Sequence, residues 1–181
     1  MPKIIDHEKY RKELTGKATK IFRKFGYSGL GMRKIAKELG ISKSALYHYF
    51  PSKDALFAEC TKAVTSFENR DFQSLSLKKM SKQERIKALI LIFEKIDKEF
   101  KGELSLLIDY IRTLTPSQVS KDKNMQLSNH QYLTMVGAFV GQANAQFVLS
   151  LMYGVLLQRL FDGRQSSFQD IEEKLVSFIK Q

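Results

Sequence analysis

LGMRKIAKELGISKSALYHYFPSK, residues 30–53, decides how this chain is read. Met32, Ile35, Ala36 and Leu39 recur at the i, i+3, i+4, i+7 spacing of one buried helical face. Gly40 follows, a residue that ends a helix in the left-handed region at no steric cost. Ile41 is an apolar plug, and the Ser42 hydroxyl is suited to capping a second helix. That second helix is expected to bury Ala45, Leu46 and Phe50, with Lys43, Ser44, Tyr47, His48 and Tyr49 at or near its outer surface. Pro51 and Ser52 then end it and cap the next. Helix, glycine-containing turn, helix is the arrangement that sets a recognition helix into a DNA major groove.

The charge distribution points the same way. Residues 1–53 carry 13 Lys/Arg against 4 Asp/Glu, a net of +9, whereas residues 54–181 carry 17 against 15, a net of +2. Nearly all of the net charge of +11 therefore surrounds the two short helices. A basic lobe joined to an almost neutral one is the electrostatic footprint of a nucleic-acid binder.

With 181 residues, 43% of them hydrophobic, and only 3 Pro and 10 Gly, the chain can bury a sizeable core. The single cysteine, Cys60, excludes an intrachain disulfide and fits a reducing cytosol, where it is expected as a buried thiol. The start, MPKIIDHEKYRKE, is too charged for a signal peptide. The most apolar run, Phe147–Leu157, is interrupted by Ser150 and Gly154 and is too short to span a bilayer, so no membrane partner is expected. There is no metal-spaced cluster, glycine-rich phosphate loop or paired-carboxylate arrangement, so no cofactor, no metal and no catalytic residue are expected. The three histidines, His7, His48 and His130, lie far apart in the sequence.

The remaining periodicity is helical throughout, and the expected fold class is all-α with about nine helices. Asp6–Phe25 reads as a first helix on Leu14, Ala18, Ile21, Phe22 and Phe25, ended by Gly26. A connector helix runs from about Lys53 to Asn69, and 71–81 reads as a loop. Lys82–Phe100 is expected to stop at Gly102, with a separate helix at Glu103–Thr113 ended by Pro116. On that helix Asp109 and Arg112, at i, i+3, read as a surface pair. Ser117–Gln131 lacks apolar periodicity, and helix resumes over Tyr132–Val140. Gln142–Phe161 is apolar all round, as in a helix buried on several sides, one of them against another chain. Phe168–Lys180 is amphipathic, with Phe168, Ile171, Leu175, Phe178 and Ile179 inward. The expected division is a helix-turn-helix head, residues 1–52, and a helical body for ligand binding and dimerisation, residues 53–181.

Residues 18–57, ATKIFRKFGYSGLGMRKIAKELGISKSALYHYFPSKDALF, resemble the TetR family of one-component bacterial regulators. Beyond residue 70 the resemblance is one of architecture. It implies a homodimer, a palindromic operator in double-stranded DNA, and a body that takes a small-molecule effector of largely apolar character. By the same resemblance Arg33 reaches a base or phosphate, and Tyr47, Tyr49 and Lys53 clamp phosphates, with packing of Tyr49 against the first helix as the equal alternative. Lys43, Ser44 and Ala45 form the first turn of the recognition helix, the turn that enters the groove, and His48 faces DNA or packs. Where members often carry a Thr or Ser pair before the second helix, this chain has Leu30–Gly31; either the Gly31 backbone approaches a phosphate or Ser28 takes over.

Apolar patterning nominates Phe93, Phe100, Tyr110, Met135, Phe139, Phe147 and Tyr153 as pocket residues, with Asn144 as a polar contributor. The dimer surface is expected on the last two helices at Leu156, Leu160, Phe168, Ile171, Leu175 and Phe178. The reading is a cytoplasmic, ligand-responsive, dimeric transcriptional repressor, not an enzyme. The alternative is a nucleoid- or division-associated DNA-binding protein on the same scaffold without an inducer.

Overall fold

In a computed structural model, residues 6–65 and 77–179 are described, and all regular structure among them is helical. The order is α1 (His7–Phe25), α2 (Met32–Leu39), α3 (Lys43–Tyr49), α4 (Lys53–Thr65), a 3-10 turn (Leu77–Lys79), α5 (Lys82–Ile111), α6 (Pro116–Val119), α7 (Lys123–Val140), α8 (Gln142–Phe161) and α9 (Phe168–Phe178). The expected end of the connector helix at 66–69 and the expected loop over 71–76 lie outside the described residues. The chain divides into two units: Met1–Ser66 with Gly102–Ser128, and Phe67–Lys101 with Asn129–Gln181.

In the first unit the local signals set the helix ends. The Asp6 carboxylate accepts from the Lys9 N–H at 3.0 Å at the start of α1, and the Gly26 N–H donates to the Phe22 carbonyl at its end. Gly40 takes the left-handed conformation at φ 71°, with its N–H on the carbonyls of Ala36 and Lys37. Ser42 Oγ accepts from Ala45 N at 3.0 Å, and Ser52 Oγ from Ala55 N at 3.0 Å. Around Leu14, Ala18 and Phe22 of α1 pack Ile35, Ala36, Leu46, Phe50, Leu56 and Phe57, together with Tyr27 and, from the end of α5, Tyr110. Burying side chains of this size contributes about 1.5–3 kcal/mol each, which is what makes a seven-residue helix such as α3 persist.

Two expectations along the chain are corrected. α5 runs unbroken through Gly102, a helix of 30 residues and about 45 Å. A glycine costs only about 1 kcal/mol in a helix interior, less than the apolar side chains on either side of it contribute by burial. Ser117–Gln131 is also mostly helical, because Asp122 starts α7: its Oδ1 accepts from the N–H groups of Asn124 at 3.0 Å and Met125 at 2.9 Å. Pro116 falls at the first position of α6, after α5 has ended at Ile111.

The second unit buries Ile86, Leu89, Ile90, Phe93 and Ile96 of α5, Met135, Val136 and Phe139 of α7, and Val148, Leu149, Met152 and Leu156 of α8. Helices α7 and α8 turn through 113° at Gly141, whose φ is 83°. Asp97, only 4% exposed, meets Arg159 and Arg164, each at 3.3 Å, and so anchors the end of α8 and the loop after it. Among the described residues, no single helix is long and apolar enough to cross a membrane.

Helix α8 is not enclosed on all sides. Phe147, Tyr153, Leu157 and Phe161 are 51, 37, 40 and 76% exposed, and at about 100° per residue they share one side of the helix.

Candidate nucleic-acid interface

Leu46 and Phe50 are fully buried and fix the inner face of α3 against the first unit's core. Their burial turns Lys43, Ser44, Tyr47 and His48 outward, all four exposed, with Ala45 half-buried beside them. The Lys43 ammonium lies 5.5 Å from the centroid of the Tyr47 ring, a cation–π distance that gathers charge and aromatic surface into one patch. Ser44 Oγ is 3.0 Å from Ser42 Oγ, so it shares the capping hydroxyl's surroundings. Arg33 is exposed at the second position of α2.

Tyr49 packs edge-to-face on Tyr10 of α1 with ring centroids 5.4 Å apart, and its hydroxyl lies 2.9 Å from His7 Nδ1. Lys53 is likewise engaged within the first unit. Its ammonium is 3.9 Å from the Tyr27 ring centroid and donates to the Tyr27 carbonyl at 3.1 Å, leaving two of its three hydrogens for other acceptors.

Ser28 is engaged by a residue far along the chain. Asp109 of α5 accepts from Ser28 Oγ at 2.6 Å, from Ser28 N at 2.7 Å and from Tyr27 N at 2.5 Å. The Ser28 hydroxyl is thereby committed, while the surroundings of Gly31 are open. The Ser28 hydroxyl and N–H, and then the Tyr27 N–H, hold the Asp109 carboxyl below the usual carboxylate range. Besides feeling the charge of Arg112, as the spacing of the two suggests, Asp109 is the residue that holds the α1–α2 loop. The Tyr27 phenol donates to Asp54, and burial, with Asp54 beside it, pushes its pKa up.

The histidines also differ from expectation. His7 and His48, 41 positions apart, bring their rings to 6.0 Å and line one cleft with Glu8, Arg11 and Tyr49. Sequence separation hid this pair. Among the described residues no group of three or more His, Cys, Asp or Glu is placed to hold a metal ion.

The body residues named from patterning scatter. Phe93, Phe100, Met135 and Phe139 are buried in the second unit, while Tyr110 belongs to the first, its hydroxyl donating to Asp122 at 2.9 Å. Phe147 and Tyr153 stand on the exposed side of α8, and the Asn144 amide donates to the Val140 carbonyl at 2.9 Å. Of the expected dimer residues, Leu156, Phe168 and Leu175 are 0, 6 and 1% exposed and therefore serve the protomer's own core. Leu160 and Ile171 are half-buried, and the Phe178 side chain lies outside the described residues.

The family model for bacterial regulatory proteins of the tetR family matches residues 14–60, the span from α1 to α4. The HTH-type transcriptional regulator PksA of Bacillus subtilis (strain 168) is 34% identical over 91 residues, 50% of this chain and 44% of PksA. The aligned region thus spans less than half of that relative. A putative transcriptional regulator from Pseudomonas aeruginosa PAO1 shares the fold with a TM-score of 0.67 at 19% identity, over 96% of this chain and 91% of that one. The multidrug binding protein EbrR, solved with proflavin, does so with a TM-score of 0.60 at 15% identity, over 92% of this chain and 98% of its own. The helix-turn-helix segment is thus similar to that of the tetR family of bacterial regulatory proteins, and the whole chain shares its all-helical fold with a member of the TetR family from Streptomyces coelicolor A3, at a TM-score of 0.66 and 14% identity over 94% of this chain and 99% of that one.

Proposed function

We propose that the chain is a dimeric transcriptional regulator, a repressor, that binds a palindromic operator through α3 and is released by a small molecule held in its body. The observation that carries the reading is the first turn of α3: Lys43 and Ser44 are exposed beside Tyr47, on a helix held in place by buried Leu46 and Phe50. In a helix-turn-helix protein this turn meets base edges, and a two-fold dimer sets two such turns into successive major grooves about 34–36 Å apart. Lys43, Ser44 and Arg33 then read bases, the Ala45 methyl touches thymine, and Tyr47, His48, Tyr49 and Lys53 contact the backbone.

The exposed apolar side of α8 supports self-association. Phe147, Leu157 and Phe161 offer a partner the surface that the buried Leu156 does not, and α8 and α9 of two copies form a four-helix bundle. The proflavin bound by EbrR, a protein of the same fold, supports an aromatic or otherwise apolar effector. Such an effector acts only by binding one state better than the other. Moving the population from 99:1 to 1:99 takes about 5.5 kcal/mol of differential affinity.

The test is selection from fragmented genomic DNA by the purified protein at near-physiological salt with excess competitor, followed by sequencing. The expected result is one enriched near-palindrome at one or a few promoters. Recovery scattered over the genome rejects the operator-specific reading in favour of a nucleoid-type DNA binder.

A further inference from the structure

Beside the recognition helix lies a cleft that the proposed base and phosphate contacts leave unexplained. It is lined by His7, Glu8 and Arg11 from the first turns of α1 and by His48 and Tyr49 from α3. His7 Nδ1 is 2.9 Å from the Tyr49 hydroxyl, and the His48 ring stands 5.1 Å from Tyr49 and 6.0 Å from His7. Both imidazoles are exposed, and Tyr49 is half-buried against Tyr10.

We propose that His7 is a positioning residue for Tyr49 that makes DNA binding proton-linked, its protonation freeing the Tyr49 hydroxyl hydrogen for a backbone phosphate. The inference rests on the reading of α3 as the DNA-contacting helix.

The chemistry follows from the donor inventory of the pair. A neutral imidazole protonated at Nε2 presents a lone pair at Nδ1, and the only hydrogen Tyr49 can share is then drawn toward His7. An imidazolium carries hydrogen on both nitrogens. Nδ1–H then donates to the phenol oxygen, the hydrogen bond reverses, and the phenol O–H is released to an outside acceptor. One proton is taken up from solvent, and no bond between heavy atoms changes. A phosphate is the acceptor this arrangement suits, since hydrogen bonds from and near charged groups to anions are the stronger class.

The charged groups around the cleft are mixed: the Asp6 carboxylate caps the start of α1 next to His7, and Glu8 lines the cleft beside Arg11. Arg11 is present, paired on one side with Glu59 of α4 at 3.4 Å, and the start of α1 adds the positive end of a 19-residue helix. His48 faces His7 from α3, and Tyr10 and Tyr49 are the other titratable groups in ring contact. Among the described residues, Glu8 is the carboxylate lining the cleft. Because His48 stands so near His7, the two are told apart by substituting each in turn. Histidine is the side chain whose charge changes between about pH 5 and 8. The added affinity is therefore present on the acid side of that range and lost as pH rises through it.

The test uses the full chain and a fluorescently labelled mixed-sequence duplex of about three helical turns at fixed low salt, because phosphate contacts do not depend on sequence. Dissociation constants are measured from about pH 5.5 to 8.5, spanning the histidine range, for the wild type, His7→Gln, His48→Gln, Tyr49→Phe and the His7→Gln/Tyr49→Phe double variant. One proton taken up on binding steepens the dependence by at most about tenfold per pH unit. The expectation is that the wild type tightens about threefold or more beyond His7→Gln between about pH 8 and 6. Tyr49→Phe should flatten the profile as much as His7→Gln does, and the double variant should add nothing further.

If His7→Gln keeps the wild-type pH profile, the inference is overturned. If Tyr49→Phe keeps the profile that His7→Gln loses, His7 meets DNA directly and the positioning role is overturned. Failure of the wild type to bind the duplex at any pH rejects instead the reading of α3 as a DNA-contacting helix.

Discussion

Asp109 and Ser28, 81 positions apart, are joined twice: Ser28 Oγ donates to Asp109 Oδ1 at 2.6 Å and Ser28 N to Asp109 Oδ2 at 2.7 Å. With the Tyr27 N–H also on Oδ2, one carboxylate satisfies two successive backbone donors in the loop between α1 and α2. The loop thereby gains acceptors that no residue near it in sequence supplies.

Replacing Asp109 by Ala should destabilise the protein by about 1–2 kcal/mol, the cost of unsatisfied donors at a partly exposed site. That corresponds to a fall of roughly 2–8 °C in the thermal midpoint for a chain of this size. Because the folded-state pKa of Asp109 is lowered, its contribution is complete above the ordinary carboxylate pKa and is lost as pH falls through the folded value. Thermal melts from about pH 7 down to about pH 3 should therefore show the wild type and Asp109→Ala converging in acid.

Leu46→Ala removes a side chain with no exposed surface from the inner face of α3 and should cost about 2–5 kcal/mol. Ser44→Ala, at an exposed neighbouring position, should change stability by no more than about 0.5 kcal/mol. Chemical denaturation separates the two, and DNA binding should be reduced by Ser44→Ala without loss of fold.

Lys43→Ala should leave the thermal midpoint in place and alter binding alone. If Lys43 neutralises a phosphate, its removal lowers the magnitude of the log K against log salt slope by about 0.9. If it reads a base edge, its removal relaxes the preference at one operator position. Lys53→Ala behaves differently, because its ammonium lies over the Tyr27 ring. It should also lower stability, by about 0.5–1 kcal/mol.

Phe161→Glu places a charge on a side chain that is 76% exposed, so the protomer should stay folded while self-association weakens. Leu156→Glu buries an unpaired charge in the protomer core and should unfold it. Sedimentation velocity beside circular dichroism distinguishes these outcomes. A Phe161→Glu protein that remains a tight dimer removes this side of α8 from the interface.

Burial pushes the Cys60 thiol up to about 12, so very little thiolate is present at neutral pH. Thiol-reactive reagents at mildly alkaline pH should label Cys60 slowly in the native protein and rapidly in denaturant. Fast labelling of the folded chain would show that this part of the first unit opens readily.

The recognition segment was legible because its signals are local. The apolar spacing of α2, the left-handed Gly40 and the Ser42 cap each act over a few neighbouring residues, and all three are in place. The break expected at Gly102 did not occur because burial along α5 outweighs one unfavourable propensity. Asp122 was a legible cap, an Asp before a helix, that the polar run around it concealed.

The order of residues alone was enough for the helical class, for the helix-turn-helix with its outward Lys43, Ser44, Tyr47 and His48, and for the concentration of positive charge in the first third of the chain. These depend on spacing and composition, which a linear chain displays. Only folding in three dimensions made Asp109 the holder of Ser28, brought His7 to Tyr49 and His48, put Leu156 in the core and left Phe161 on the surface. Those outcomes depend on which distant segments share a hydrogen bond or exclude water together, and residues 41 to 81 positions apart carry no mark of it in their order.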